Sequence, residues 1–430
     1  MNATQESPTT TTTPTRTTTP TADVVVVGAG PAGLSAAIAL RKRGVANVVV
    51  LERESQAGGV PRHTNHLGYG LRDLHRMMSG PRYAAELRRR AEAAGVDIRT
   101  ATTALDWLAT TTLQIVDSHG VAVLSANAVL LSTGVRERPR AARLVPGERG
   151  AGVFTTGSLQ QLTAQRHQRP GHRAVIVGAE HVSFSAVLTL RHAGCEVVAM
   201  VTPLAHHQSY TALRVATASR HRVPIITNCE IAEICGRTRV EAVVLTNGQR
   251  LACDTVVFTG DWIPDHELAR RGGINIDDSH RGPIVDGALR TNRRGVFAAG
   301  NLVHPAETAD ICALDGRHVA TSIVDWLTIG EWPTDGTRIR VRDPIAWISP
   351  SLVHPSDGAP LDRLTLRVSQ PIRASHISAM QGGSVLWRGR PRGQLIPHRS
   401  ISIPAEWLSR IDVGVDADDV VMSVDELPQR

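Results

Sequence analysis

Lysine is almost missing from this 430-residue chain: Lys42 is the only one, so arginine carries the excess of basic over acidic side chains, 47 against 40. Aromatic residues amount to 3%, too few for the stacking platforms that hold single-stranded nucleic acids. The longest basic run, Arg88-Arg89-Arg90, falls on a predicted helix and reads as a solvated face, so no nucleic-acid partner is expected. No apolar run reaches the length that spans a bilayer, and the opening MNATQESPTTTTTPTRTTTPTA lacks the apolar centre of a secretory signal. Neither membrane attachment nor export is expected. The five cysteines (Cys195, Cys229, Cys235, Cys253, Cys312) form no C-x-x-C pair and no metal-ligand spacing. They read as buried thiols of a reducing cytoplasm, and no metal centre is expected.

What is present is an ordinary globular composition, 42% hydrophobic and 20% charged, on a chain too long for one core. The Thr/Pro-rich residues 1–22 cannot bury enough surface to fold and read as a disordered tail. From Asp23 a strand, a Gly-rich turn, a helix and the strand-like NVVVLERES follow in order, a βαβ unit. In VVVVGAGPAGL, Gly28, Gly30 and Gly33 give G-x-G-x-x-G between strand and helix. The first glycine allows the tight turn, the second lets backbone approach a pyrophosphate, and the third lets the helix pack on the strand. Pro31 and Ala32 open the helix, whose positive end suits a phosphate. Glu52, with Arg53 beside it, stands 24 residues after Gly28 (52 − 28), where a carboxylate can hold the hydroxyls of an adenosine ribose.

The strand-turn-helix-strand order recurs in HRAVIVGAEHVSFSAVLTLRHAGCEVVAMVTP, with Glu180 where the first copy has Gly30 and Ser183 where it has Gly33. Serine is a modest change at a packing position. A glutamate beside a phosphate is not, since two unit charges about 4 Å apart at an effective dielectric near 20 repel by about 4 kcal/mol. The next strand ends in Val201, Thr202 and Pro203, without the acid or arginine a nicotinamide cofactor's ribose wants. His206 and His207 follow, read as loop histidines. The second turn is therefore not expected to bind NAD(P)H, unless Glu180 turns outward.

The predicted fold class is α/β: two Rossmann-like dinucleotide-binding domains, the second inserted in the first, plus a small β-rich C-terminal domain. The boundaries are drawn at 23–148 with 285–331 for the first, 149–284 for the second and 332–430 for the third.

The first fingerprint with Glu52, then Gly58-Gly59, Ser132-Thr133-Gly134 and Gly295-Val-Phe-Ala-Ala-Gly300-Asn301, resembles in order the landmarks of flavoproteins with two dinucleotide-binding domains, such as thioredoxin and disulfide reductases. The resemblance implies FAD in the first domain, near Gly28, Gly30, Pro31, Ala32, Gly33, Glu52, Arg53, Gly59, Arg62, Thr133, Gly134, Gly300, Asn301 and Asp310. In such proteins the last motif usually reads Gly-Asp, the aspartate reaching the flavin. Asn301 can hydrogen-bond there but carries no charge. No cysteine pair suits disulfide chemistry.

GGVPRHTNHLGYGLRDLHRMMSGPRYA and STGVRERPR bring a closer likeness, to the flavin subunits of heteromeric amine dehydrogenases: opine oxidase, hydroxyproline dehydrogenase and hydrogen cyanide synthase. That likeness implies an amine or amino-acid substrate, an iron-sulfur centre and a second flavoprotein subunit. With no cysteine after Cys312, such a centre would come from a partner. His63 and His304 are the candidate acid-base residues, since a histidine near its ordinary pKa can take an amine proton. His66 lies close to the first. The expected function is an FAD-dependent oxidoreductase passing electrons to a partner or non-nicotinamide acceptor. The alternatives are a self-contained NAD(P)H-dependent flavin reductase or monooxygenase, and a non-catalytic nucleotide-binding subunit.

Overall fold

A computed structural model describes residues 22–305, 307–354, 362–391, 393–414 and 417–426; all but the last residue of the proposed N-terminal tail lies outside them. Val24–Val26 are buried on both faces, as a run of β-branched residues demands in a covered parallel sheet. The strand Ala22–Val27 pairs in parallel with Val48–Leu51 on one side and with the end of Gly120–Leu131 on the other. Ala22 is 2% exposed and belongs to this strand, which corrects its assignment to the tail. Asp97–Arg99 extends the sheet beyond Val48–Leu51, and Val296–Ala298 extends it beyond Gly120–Leu131.

The strand Gly120–Leu131 serves two partners in succession. Its first half pairs antiparallel with Thr112–Asp117, itself paired with Thr103–Ala109, while its second half lies in the parallel sheet. The helix Pro31–Lys42 starts at a proline and stops before Gly44, whose φ is +90°, as proline at the start and glycine past the end favour. Its small residues let the long helix Ala309–Ile329 approach closely: a Cβ on Gly316 would lie 2.1 Å from the Ala32 carbonyl oxygen.

The second domain repeats the plan. Val153–Thr155, Thr255–Phe258, Arg173–Val177, Glu196–Val201 and Ile225–Ile226 form an all-parallel sheet in that order. A three-stranded antiparallel sheet, Ile231–Cys235, Ala242–Leu245 and Arg250–Ala252, packs beside it. The two connections with the first domain run side by side as an antiparallel pair, Val135–Glu137 with Trp262–Pro264. Leu268, Ala269 and Ile274 pack into the first domain's core, and the Trp107 indole donates to the Leu268 carbonyl (2.7 Å). The chain thus re-enters the first domain at about Trp262, and the boundary drawn at 284 is too late. The apolar run that returns is short and helical, so no strand periodicity announces it.

The C-terminal domain packs a five-stranded sheet (Leu352–Val353, Thr337–Val341, Val420–Glu426, Ala374–Gln381, Ser384–Gly389) near a three-stranded one (Ile345–Ser349, Arg363–Val368, Ile401–Pro404). Leu364, Leu366, Trp407, Val420 and Met422 fill its core. It is joined to the first domain by Arg338–Asp277 (3.1 Å), by His354–Asp286 (3.4 Å) and by the edge-on pair His280–Trp347. Among the described residues, no helix is long and apolar enough to cross a membrane.

Candidate functional site

In the first turn Gly28 has a φ of +105°, and a Cβ there would lie 2.5 Å from the Ser132 carbonyl oxygen. A Cβ on Gly33 would lie 2.0 Å from the carbonyl oxygen of Gly28. Both positions are closed to larger residues. Gly30 differs: nothing lies within 4 Å of where its Cβ would be, so the space above the turn is open. Pro31 follows at the head of a helix with no acidic residue in its first turn, leaving the positive end of the dipole unmatched by the protein. Gly59 (φ +62°) closes one flank, where a Cβ would lie 2.9 Å from Gly30 Cα, and the Gly58 N–H donates to the Ala29 carbonyl (2.8 Å).

Glu52 is 8% exposed. Its Oε2 accepts from the Ala29 N–H (3.1 Å) and its Oε1 from the Glu54 N–H (3.0 Å), one backbone donor on each oxygen. Burial pushes its carboxyl above the ordinary value, against the lowering pull of the Ala29 N–H and the Arg62 guanidinium. Further acceptor capacity remains on both oxygens, which suits two ribose hydroxyls. Arg62 pairs with Glu54 while its buried Nε has no hydrogen-bond partner. These features (an open cradle over Gly30, an unmatched helix terminus, a buried acid, an orphaned guanidinium N–H) fit an adenine dinucleotide.

Other predicted residues hold the site's walls together. Ser132 Oγ donates to the carbonyl of Gly28 (2.9 Å). Thr133 Oγ1 donates to the Asp265 carbonyl (2.7 Å), and the Asp265 N–H donates to the Gly134 carbonyl (2.8 Å). The Arg53 guanidinium is largely exposed and pairs with the Asp265 carboxylate (3.1 Å). Gly300 has a φ of +71°, and a Cβ there would lie 2.8 Å from Ala32 Cβ.

Asn301 and Asp310 each bond the protein's own backbone. The Asn301 Oδ1 accepts from the Glu307 N–H (2.7 Å) and its Nδ2 donates to the Glu307 carbonyl (3.1 Å). An amide has a donor and an acceptor, so it can clasp a backbone segment as the usual aspartate could not. Asp310, buried, accepts from the N–H groups of Gly70 (2.9 Å) and Arg72 (2.9 Å), pinning the His- and Gly-rich loop to the head of the long helix.

The two candidate histidines lie in different cavities. His63 lines a cleft between the nucleotide domains with His66, His167 and His192. Burial lowers its pKa from 6.5 to about 4, and its Nδ1 has no hydrogen-bond partner. It is neutral near pH 7 and a weak base. His304 lines a small cavity beneath the C-terminal domain, with Asp315, Ile311, Ser349 and Arg363. Its Nε2 lies 2.5 Å from Asp315 Oδ2. Burial alone lowers its pKa, but the Asp315 carboxylate more than reverses this and leaves it above the ordinary value. Among the described residues, no group of three or more potential ligands could hold a metal ion.

The second turn is arranged differently from the first. Glu180 is 6% exposed, so it does not turn outward. Its side chain folds back over the turn: Cβ atoms built on Gly178 and Gly260 would lie 2.7 Å from Glu180 Oε2 and 3.0 Å from Oε1. Ser183 Oγ accepts from the Glu180 N–H (3.1 Å) and bonds Thr259 Oγ1 (2.7 Å). Arg143 donates to the carbonyls of Gly260 (2.7 Å) and Thr259 (3.1 Å). The Ala179 carbonyl accepts from the Gln208 N–H (2.8 Å), as the Ala29 carbonyl does from the Gly58 N–H (2.8 Å). His207 packs edge-on against Phe184 at 6.1 Å.

Residues of the C-terminal domain reach this neighbourhood, which the sequence reading missed. Arg399 donates to the Ser209 carbonyl and lies over the Tyr210 ring at 4.5 Å. Arg367 pairs with Glu307 (3.8 Å) and donates to Ser400 Oγ (3.3 Å). The only signal was the basic doublet His398-Arg399 after Pro397, and nothing in its own segment says what it meets.

Fold and site together define a flavoprotein with two dinucleotide-binding domains. The family model for pyridine nucleotide-disulphide oxidoreductases matches residues 22–319, and the chain belongs to that family. An opine oxidase subunit of Rhizobium meliloti (strain 1021) is 24% identical over 386 residues, 83% of this chain and 76% of that one. Thioredoxin reductase of Treponema pallidum (strain Nichols) is 29% identical over 335 residues, 71% of this chain and 98% of that one. Among solved structures, thioredoxin reductase of T. acidophilum superposes with a TM-score of 0.59 at 22% identity, covering 70% of this chain and 97% of its own. L-proline dehydrogenase from P. horikoshii gives 0.54 at 18% identity, covering 71% and 55%. Both share the fold. The protein is an FAD-dependent oxidoreductase.

Proposed function

We propose that this chain is the flavin subunit of a heteromeric amine or amino-acid dehydrogenase of the cytoplasm, and that its electrons leave to a partner or another non-nicotinamide acceptor. The observation that carries this reading is the contrast within one chain: an open first turn beside a second turn whose mouth Glu180 fills. The similarity to an opine oxidase component supports the substrate class, and five free thiols are in keeping with the compartment.

Bound FAD would supply a ring that takes two electrons. Gly28, Gly30, Pro31, Ala32 and Gly33 would cradle its pyrophosphate, and Glu52 its adenosine ribose. Gly59, Arg62, Thr133, Gly134 and Gly300 would form the walls, with Arg53 tying the rim to Asp265. Asn301 and Asp310 act as positioning residues, one holding the Glu307 segment and the other the loop at Gly70–Arg72. Of the two histidines, His304 is the better base. Asp315 accepts its Nε2–H, orients the ring and favours its charged form, leaving Nδ1 free of other bonds. The partners this reading calls for are a second flavoprotein and an iron-sulfur protein.

Two experiments test it. Anaerobic titration of the yellow protein with NADH and NADPH should leave the flavin oxidised at micromolar cofactor; rapid bleaching would support the self-contained reductase instead. Affinity purification from the native cell should bring down a second flavoprotein. A colourless protein that retains adenine nucleotide would favour the non-catalytic subunit.

A further inference from the structure

We infer that the second nucleotide turn has become the socket in which the C-terminal domain docks, with Glu180 standing in for the phosphate and the segment 396–400 lying where a dinucleotide would approach. This goes beyond the proposed substrate and partner and holds whatever the flavin oxidises.

Three observations converge on it. First, the Glu180 carboxylate lies over Gly178 and Gly260, and its buried Oε1 has no hydrogen-bond partner. An anion at the head of the helix His181–His192 is stabilised there by the dipole, as a bound phosphate would be. Second, charges of both signs gather near that carboxylate, Arg143 and Asp261 from the nucleotide domains and Arg367 from the C-terminal one. Arg143 holds the carbonyls beside it. Burial holds the His398 imidazole below its ordinary pKa, while Glu180 pulls it up and Arg367 pulls it down.

Third, the segment is held by two separate sets of contacts. Arg399 stacks on Tyr210 and donates to Ser209. Tyr210 in turn meets His181, the first residue of the helix, edge-on at 4.7 Å. The adjoining Gln208 N–H is bonded to Ala179 within the turn itself. Away from the turn, Arg367 links Ser400 to Glu307, whose backbone bonds Asn301 in the first domain. The C-terminal domain therefore spans from the flavin domain to the second turn, and the glutamate that repels a phosphate attracts this segment.

Hydrogen exchange on the full-length, flavin-loaded protein tests the socket. Glu180→Gln keeps the shape and removes the charge; it should speed exchange across 396–400 by about tenfold or more while the strand Arg363–Val368 keeps its protection. Exchange within about a factor of two of the unmodified protein would overturn the proposal. Should that variant fail to fold, Arg399→Ala carries the same test with the same criterion. In a second arm, Glu180→Gly is titrated with NADH. The remaining segment should still block binding at micromolar NADH, and adding Arg399→Ala should raise affinity about tenfold or more. Micromolar binding by Glu180→Gly alone, or no gain in the double variant, would show that the segment does not close the turn.

Discussion

The two fingerprint turns share strand, helix and first glycine, yet one leaves its cradle open and the other fills it with a side chain of its own. At Gly30 a Cβ would meet nothing, and the nearby carboxylate of Glu52 is held to the side by the Ala29 N–H. At Glu180 the acid lies within the turn itself, with Thr259, Ser183 and Arg143 arranged around it. The lesson is that the position of one carboxylate relative to the glycine turn decides between a ribose clamp and a phosphate block. A duplicated fold can thus keep its packing while its ligand site acquires another occupant.

The largest effect should come from making the first turn like the second. Gly30→Glu would place an anion against the FAD pyrophosphate, and flavin retention should fall by about a hundredfold or more. Visible absorbance against protein concentration after dialysis measures this, and a fully yellow variant would contradict the assignment of the first turn.

A smaller effect is expected at the third glycine. Gly33→Ala would bring a methyl group to about 2 Å from the Gly28 carbonyl oxygen, and such overpacking costs about 1–3 kcal/mol. A lowered thermal midpoint measures it, whereas an unchanged midpoint would mean that the helix shifts freely.

A further effect concerns acid. Burial lowers the pKa values of His63 and His280 to about 4 from 6.5. Between those values the unfolded chain binds protons that the folded chain refuses, so stability falls as pH drops through this window, by up to about 3 kcal/mol per histidine. His304, raised by Asp315 against its burial, runs the other way: its contribution is complete below 6.5 and fades as pH rises through its folded pKa. Urea unfolding at about pH 5 should give a lower midpoint than at about pH 7. An equal or higher midpoint would contradict the dominance of the buried neutral histidines.

Much of this was legible because it is local. Gly28, Gly33 and Glu52 act through residues a few positions away or through one strand-helix-strand unit, and so does the misfit at Glu180. What stayed hidden depends on partners far along the chain. Asp310 gives no sign of the Gly70 and Arg72 N–H groups it holds, 240 and 238 positions back. Arg399 and Ser209 are 190 positions apart, and no periodicity links them. Leu268 and Ala269 read as part of the inserted domain because two residues of a short helix carry no address of their own.

The close seat of Gly316 against Ala32 also has a consequence for synthesis. The inserted domain runs without interruption and can fold as soon as it leaves the ribosome, whereas the domain around it waits for its last strand and the helix Ala309–Ile329. Contacts of such sequence separation form slowly. FAD should therefore be captured late in biogenesis, after the inserted domain is already in place.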